Sequence, residues 1–76
     1  MDLNKDLGQQ PIAQIMAERD LKPYDLVAVS GEQITHKMVA RAAKGKRLTA
    51  HVQSKILRAI NKATGNNYSI GDLFNY

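Results

Sequence analysis

Three long basic side chains recur at a spacing that would place them on one side of a helix. Lys37, Arg41 and Lys44 follow one another at intervals of four and three positions, and at about 100° per residue they fall within an arc of about 60°. Ammonium and guanidinium groups can donate hydrogen bonds to phosphate oxygens and to the O6 and N7 atoms of guanine. The spacing therefore predicts a surface for an anionic partner, although an ordinary solvated lysine face would show the same pattern.

Positive charge is concentrated in the second part of the chain. The 76 residues carry a formal net charge of +4. Three basic and six acidic residues lie in the first 32 positions, whereas eight basic residues and one acidic residue lie in the remaining 44. Such asymmetry favours a polyanion such as nucleic acid as the partner of the second part.

Side chains that would indicate catalysis or metal binding are sparse. The chain has no cysteine, and its two histidines, His36 and His51, are too far apart for the paired ligands of a helical zinc site. The serines have no recognisable base partner, and the step from Gly45 to Lys46 is far short of a phosphate-cradling loop. We therefore expect no enzyme, no metal or other cofactor, and no small-molecule ligand.

Five helical segments would position the basic side chains. Pro11 and Pro23 suit the first turn of a helix, and Thr35, Thr49 and Ser69 suit N-caps. The predicted helices span residues 11–19, 23–29, 35–44, 50–63 and 70–75. The β-branched stretch 27–29 could form a strand instead, but no second candidate strand exists to pair with it. The pattern favours an all-α fold.

The third and fourth predicted helices are amphipathic. Apolar and small residues of the third lie opposite its basic side: Met38, Val39, Ala42 and Ala43. The apolar stripe of the fourth consists of Val52, Ile56, Ala59, Ile60 and Ala63. The fourth helix also carries a second basic stripe, Lys55, Arg58 and Lys62, for which a solvated outer face is the favoured interpretation. Leu57 lies off the apolar stripe, at an edge of the core or at a dimer contact.

The first ten residues differ from the rest of the chain. Residues 1–10 show no periodicity and are predicted to form a flexible arm, followed by one domain over 11–76. They are polar and of mixed charge, unlike a secretory signal, and no apolar run approaches the roughly 20 residues needed to cross a bilayer. With no cysteine in the chain, we expect a soluble cytoplasmic protein without membrane contact.

Three short stretches of sequence lie at the boundaries of the predicted helices. LKPYDLV at 21–27 opens the second helix, GKRLT at 45–49 follows the third, and YSIGDLF at 68–74 contains the last. Together with the helix order, they make residues 11–74 resemble the lambda repressor-like (Xre/Cro) helix-turn-helix family. The turn over 29–34 is longer than the compact turn of that family, and Val27 and Ala28 replace its small-residue pair.

The resemblance implies a five-helix bundle whose second and third helices form a helix-turn-helix, with the third in the major groove of double-stranded DNA. Base-reading positions of the family match Thr35, His36, Lys37 and Arg41. Phosphate-contacting positions match Lys22, Tyr24, Lys44, Lys46 and Arg47. The implied function is sequence-specific DNA binding by a small bacterial or phage transcriptional regulator, such as a repressor, which could bind as a homodimer.

A second function is compatible with the same basic face. A helical protein-interaction module, of the antitoxin or adaptor type, would use it to bind an acidic partner. Double-stranded RNA is a less suitable target, because its deep and narrow major groove does not admit a reading helix.

Overall fold

A computed structural model describes residues 8–76. Five α-helices follow one another: α1 (Pro11–Glu18), α2 (Pro23–Val29), α3 (His36–Lys44), α4 (Ala50–Thr64) and α5 (Ile70–Leu73). No β-strand occurs within the described residues, so stretch 27–29 is helical, as favoured above. The prediction of an all-α fold with five helices is confirmed. No helix among residues 8–76 is long and apolar enough to span a membrane.

Hydroxyl N-caps begin the two amphipathic helices. Thr35 Oγ1 accepts the backbone N–H of Met38 at 3.1 Å, and Thr49 Oγ1 accepts that of Val52 at 3.2 Å. Each bond satisfies one of the N–H groups that have no partner inside the helix. These caps place the start of α3 at His36 and the start of α4 at Ala50.

Carboxylates close the first turns of two other helices. Asp25 accepts the backbone N–H of Lys22 at 2.8 Å. Asp72 accepts both the backbone N–H of Ser69 at 2.8 Å and its hydroxyl at 3.0 Å. These bonds from Ser69 lower the pKa of Asp72, since they stabilise its charged form. Both acids therefore serve as local helix-capping groups.

Two helices end earlier than the sequence predicted. α1 stops at Glu18, and Asp20 then adopts a positive φ of 54°. α5 stops at Leu73 because Phe74 takes an extended conformation, with φ −130° and ψ 139°. This turn places the Phe74 ring in the core, where it is 2% exposed.

The core receives side chains from all five helices. The largest fully buried apolar residues are Ile12, Leu26, Val39, Ile56, Ile60 and Leu73. α3 packs against α1, α2 and α4, while α5 packs against α1 and α4. One side of α3 is thus held by three neighbouring helices, and its other side is exposed to solvent. Leu57 packs at the edge of this core.

The predicted N-terminal arm is described only from Gly8 onwards, since residues 1–7 lie outside the described part of the chain. Gln10 is buried, and its N–H donates to the Ala43 carbonyl at 3.3 Å. Its Oε1 accepts the Asn75 N–H at 2.8 Å. The packed domain therefore begins before Pro11, where the sequence placed its start.

Candidate nucleic-acid interface

The two sides of α3 differ in exposure as their spacing predicted. Val39 and Ala42 are 0% exposed, whereas Lys37, Arg41 and Lys44 are all exposed. Because the buried side fixes the rotation of the helix about its axis, the three cations are constrained to face solvent together. The three basic side chains therefore lie on one exposed surface, as the spacing predicted.

The cations of α3 have no carboxylate competing for them within the described residues. The chain contains no acidic residue from 33 to 71. Among residues 8–76, no ion pair involves Lys37, Arg41 or Lys44. Their positive potential is consequently directed at solvent, where an anion would be attracted.

The first residues of α3 combine a cap with exposed polar groups. Thr35 and His36 are both exposed. The Thr35 oxygen accepts the N–H of Met38, which leaves the hydroxyl proton able to donate to another group. His36 occupies the first helical position, so its imidazole can project past the end of the helix. Capping and contact with a ligand are compatible at this position.

The linker between α3 and α4 carries Lys46 and Arg47. The hydroxyl of Tyr76 accepts the backbone N–H of Leu48 at 3.0 Å and donates to the carbonyl of Lys46 at 3.4 Å. The guanidinium carbon of Arg47 lies 5.8 Å from the centre of the Tyr76 ring. The sequence analysis missed this role of Tyr76, because no local pattern connects it with Leu48, 28 residues earlier in the chain.

The beginning of α2 presents the remaining predicted contacts. Lys22 is the N-cap residue of α2 and lies 3.7 Å from Asp20, with 59% of its own side chain exposed. Such an exposed pair contributes little stability, so the lysine can exchange this partner for a phosphate. Tyr24 is 58% exposed, the one large hydrophobic side chain in the described residues that is so accessible.

The second basic stripe lies at the surface, with Arg58 and Lys62 exposed as the sequence favoured, but two of its cations also bond the turn before α3. Arg58 forms a two-pronged ion pair with Glu32, with both N–O distances at 2.6 Å. The ammonium of Lys55 donates to the carbonyl of Gln33 at 3.4 Å, and Lys62 alone of the stripe is exposed without such a bond. Two of the three cations therefore hold the turn that leads into α3. A further bond within that turn joins Ser30 Oγ to the Glu32 carbonyl at 3.0 Å.

The Glu32–Arg58 pair makes stability depend on pH. Hydrogen bonds from Arg58 lower the pKa of Glu32 below its ordinary value of 4.5. A depressed folded-state pKa stabilises the fold above the unfolded-state value, and this stabilisation is lost as the pH falls through the lowered value. Glu32→Gln is therefore expected to lower the melting temperature at neutral pH and to have little effect in strong acid.

Thermal unfolding at several pH values would check this expectation. Glu18→Gln is the control, because Glu18 is an exposed helical acid whose side chain accepts from Gln14 at 3.2 Å and forms no ion pair within residues 8–76. An equal deficit of Glu32→Gln at neutral and strongly acid pH would show that charge on Glu32 has no part in holding the turn.

Comparison of the chain with protein-family models, curated proteins and solved structures gives no match. Within residues 8–76, no group of histidine and acidic side chains is arranged to hold a metal ion.

Proposed function

We propose that the chain is a sequence-specific, double-stranded DNA-binding domain of the lambda repressor-like helix-turn-helix type, acting as a transcriptional regulator. The observation that carries the proposal is the exposure of Lys37, Arg41 and Lys44 along one side of a helix whose opposite side is fully buried. A rigid helix with a cationic outer side is the element that such proteins insert into a groove.

The dimensions of α3 suit this role. Its nine residues correspond to a length of about 14 Å at 1.5 Å per residue. A helix with its side chains is about 10–12 Å across, and the major groove of B-DNA is about 12 Å wide. In this arrangement Thr35, His36 and Lys37 would meet base edges first, and Arg41 would follow one turn later.

Residues beyond both ends of the reading segment would contact the DNA backbone. Lys44, Lys46 and Arg47 lie at and just after the end of α3, and Lys22 and Tyr24 lie at the start of α2, which packs against it. Contacts to phosphate fix the position of a protein on the duplex and carry no sequence information. The proposed DNA-binding surface thus has one part that reads bases and another that binds the backbone.

A salt titration tests the proposal most directly. If about six to eight phosphates are neutralised, log K should fall with log[salt] at a slope of about −5 to −7. Lys44→Gln should make this slope shallower by about 0.9, whereas Lys62→Gln should leave it unchanged. The two variants are matched, since each removes one exposed lysine from the last turn of a helix.

Two results would contradict the proposal. One is an affinity for duplex DNA that does not change between low and moderate salt. The other is an equal effect of Lys44→Gln and Lys62→Gln, because it would mean that net charge alone attracts the DNA. Selection from a random duplex library at fixed salt then reports sequence preference, and a palindromic selected site would indicate a homodimer.

A further inference from the structure

Tyr76 contacts three consecutive residues of the linker between α3 and α4. Its hydroxyl accepts the N–H of Leu48 at 3.0 Å and donates to the carbonyl of Lys46 at 3.4 Å. Its ring lies against the guanidinium of Arg47, 5.8 Å from ring centre to guanidinium carbon. A single side chain thereby constrains both the backbone and one cation of the segment.

The Tyr76 ring is itself held by the core. Its centre lies 5.8 Å from that of Phe74, at an interplanar angle of 56°, and Phe74 is 2% exposed. The intervening Asn75 is fixed through its N–H, which donates to the buried Gln10 at 2.8 Å. Tyr76 therefore links the linker to the packed interior and fixes its position.

The contact between Arg47 and the Tyr76 ring leaves the exposed guanidinium able to bind a phosphate. A cation is attracted to the face of an aromatic ring, and the five N–H donors of a guanidinium allow it to bond a phosphate beside such a contact. Holding this group before binding also reduces the conformational freedom lost when the complex forms.

We propose that Tyr76 is a positioning residue, which holds the linker so that Lys46 and Arg47 are both presented to the DNA backbone. This inference rests on the proposed DNA-binding function. Tyr76 is not a contact residue in this arrangement. Its hydroxyl acts through the backbone that carries Lys46, and its ring acts through the guanidinium of Arg47.

Tyr76→Phe is the first test, because it removes the hydroxyl and keeps the ring. In the free protein, the Leu48 amide should exchange with solvent about tenfold faster or more, while the amide of the buried Ile60 is unaffected. On duplex DNA, loss of one phosphate contact should make the salt slope shallower by about 0.9, which is about eightfold in affinity at 0.1 M salt. Tyr76→Leu also removes the ring, so a second phosphate contact is lost. The salt slope should then be shallower than that of the native chain by about 1.8.

Tyr68→Phe is the matched control. The Tyr68 hydroxyl accepts from Arg19 at 3.4 Å and from Asn66 at 3.0 Å, so it also bonds two partners, but neither belongs to the linker. We expect Tyr68→Phe to leave both Leu48 exchange and the salt slope as they are in the native chain. The comparison separates loss of a bonded phenol from loss of linker positioning.

The outcomes distinguish this inference from the function on which it rests. If the native chain binds DNA and Tyr76→Phe changes neither Leu48 exchange nor the salt slope, the positioning role is overturned and the proposed function stands. If Leu48 exchanges faster while the slope stays the same, the linker is held but not for binding, and the inference is again overturned. If the native chain shows no salt-dependent DNA binding, both proposals fail.

Discussion

Replacing Lys37, Arg41 and Lys44 together by glutamine is expected to weaken duplex DNA binding about 500-fold at 0.1 M salt. Loss of the Lys44 contact to phosphate should make the slope of log K against log[salt] shallower by about 0.9, or about eightfold in affinity at that concentration. Loss of the base contacts of Lys37 and Arg41, at about 1.2 kcal/mol each, supplies the remaining factor. Folding should be nearly unaffected, because all three side chains are exposed and glutamine is a good helix former. Fluorescence anisotropy with a labelled duplex over a range of salt concentrations measures the change.

The control for this effect removes exposed charge elsewhere. The double variant Arg19→Gln, Lys62→Gln can be compared with Lys37→Gln, Lys44→Gln, because each pair lowers the net charge by two at exposed positions. The first pair should weaken binding only slightly. Comparable losses from the two pairs would exclude α3 as the DNA-binding element.

Gly45→Ala is expected to destabilise the domain by about 3 kcal/mol. Gly45 has a φ of 91°, and a left-handed conformation costs a non-glycine residue about 1–2 kcal/mol. An added Cβ would also collide with the backbone of Gly8, at 2.7 Å from its carbonyl carbon and 2.9 Å from its nitrogen, and such overpacking costs about 1–3 kcal/mol. For a domain of this size the melting temperature should fall by about 12–24 °C.

Gly65→Ala separates the two causes. Gly65 ends α4 with a similar φ of 74°, but nothing lies within 4 Å of a Cβ added there. We expect this variant to lose only the conformational part, about 1–2 kcal/mol. Equal destabilisation of the two variants in urea unfolding would show that the packing of Gly8 on Gly45 adds nothing to stability.

The helices could be predicted because their boundaries depend on local interactions. Thr35 and Thr49 cap neighbouring N–H groups three residues away, and Gly45 ends α3 by its own backbone conformation. The division of α3 into an apolar side and a basic side could also be predicted, since it follows from helical periodicity alone. Local sequence is sufficient for such features because both partners lie within one turn.

The contacts that position the candidate interface could not be predicted from local sequence. Arg58 reaches Glu32 over 26 residues, and Tyr76 reaches Leu48 over 28. The type of each side chain shows that it can form such a bond, but the choice of partner depends on how the helices pack. The helical spacing of Arg58 therefore predicted its exposure at the surface but not its ion pair with Glu32. The base-reading roles of Thr35 and His36, and the family itself, stay predictions.

The two bonds of Gln10 have a consequence for cooperativity. Its backbone N–H donates to Ala43, near the end of α3, and its side-chain oxygen accepts from Asn75, beside the residue that holds the linker. Local unfolding at either end of the described domain, at Gln10 or at Asn75, would therefore release the end of α3 and the linker that follows it. A peptide containing α2 and α3 alone would lack these tethers, so the complete cationic surface is a property of the folded domain over residues 8–76 and not of these two helices in isolation.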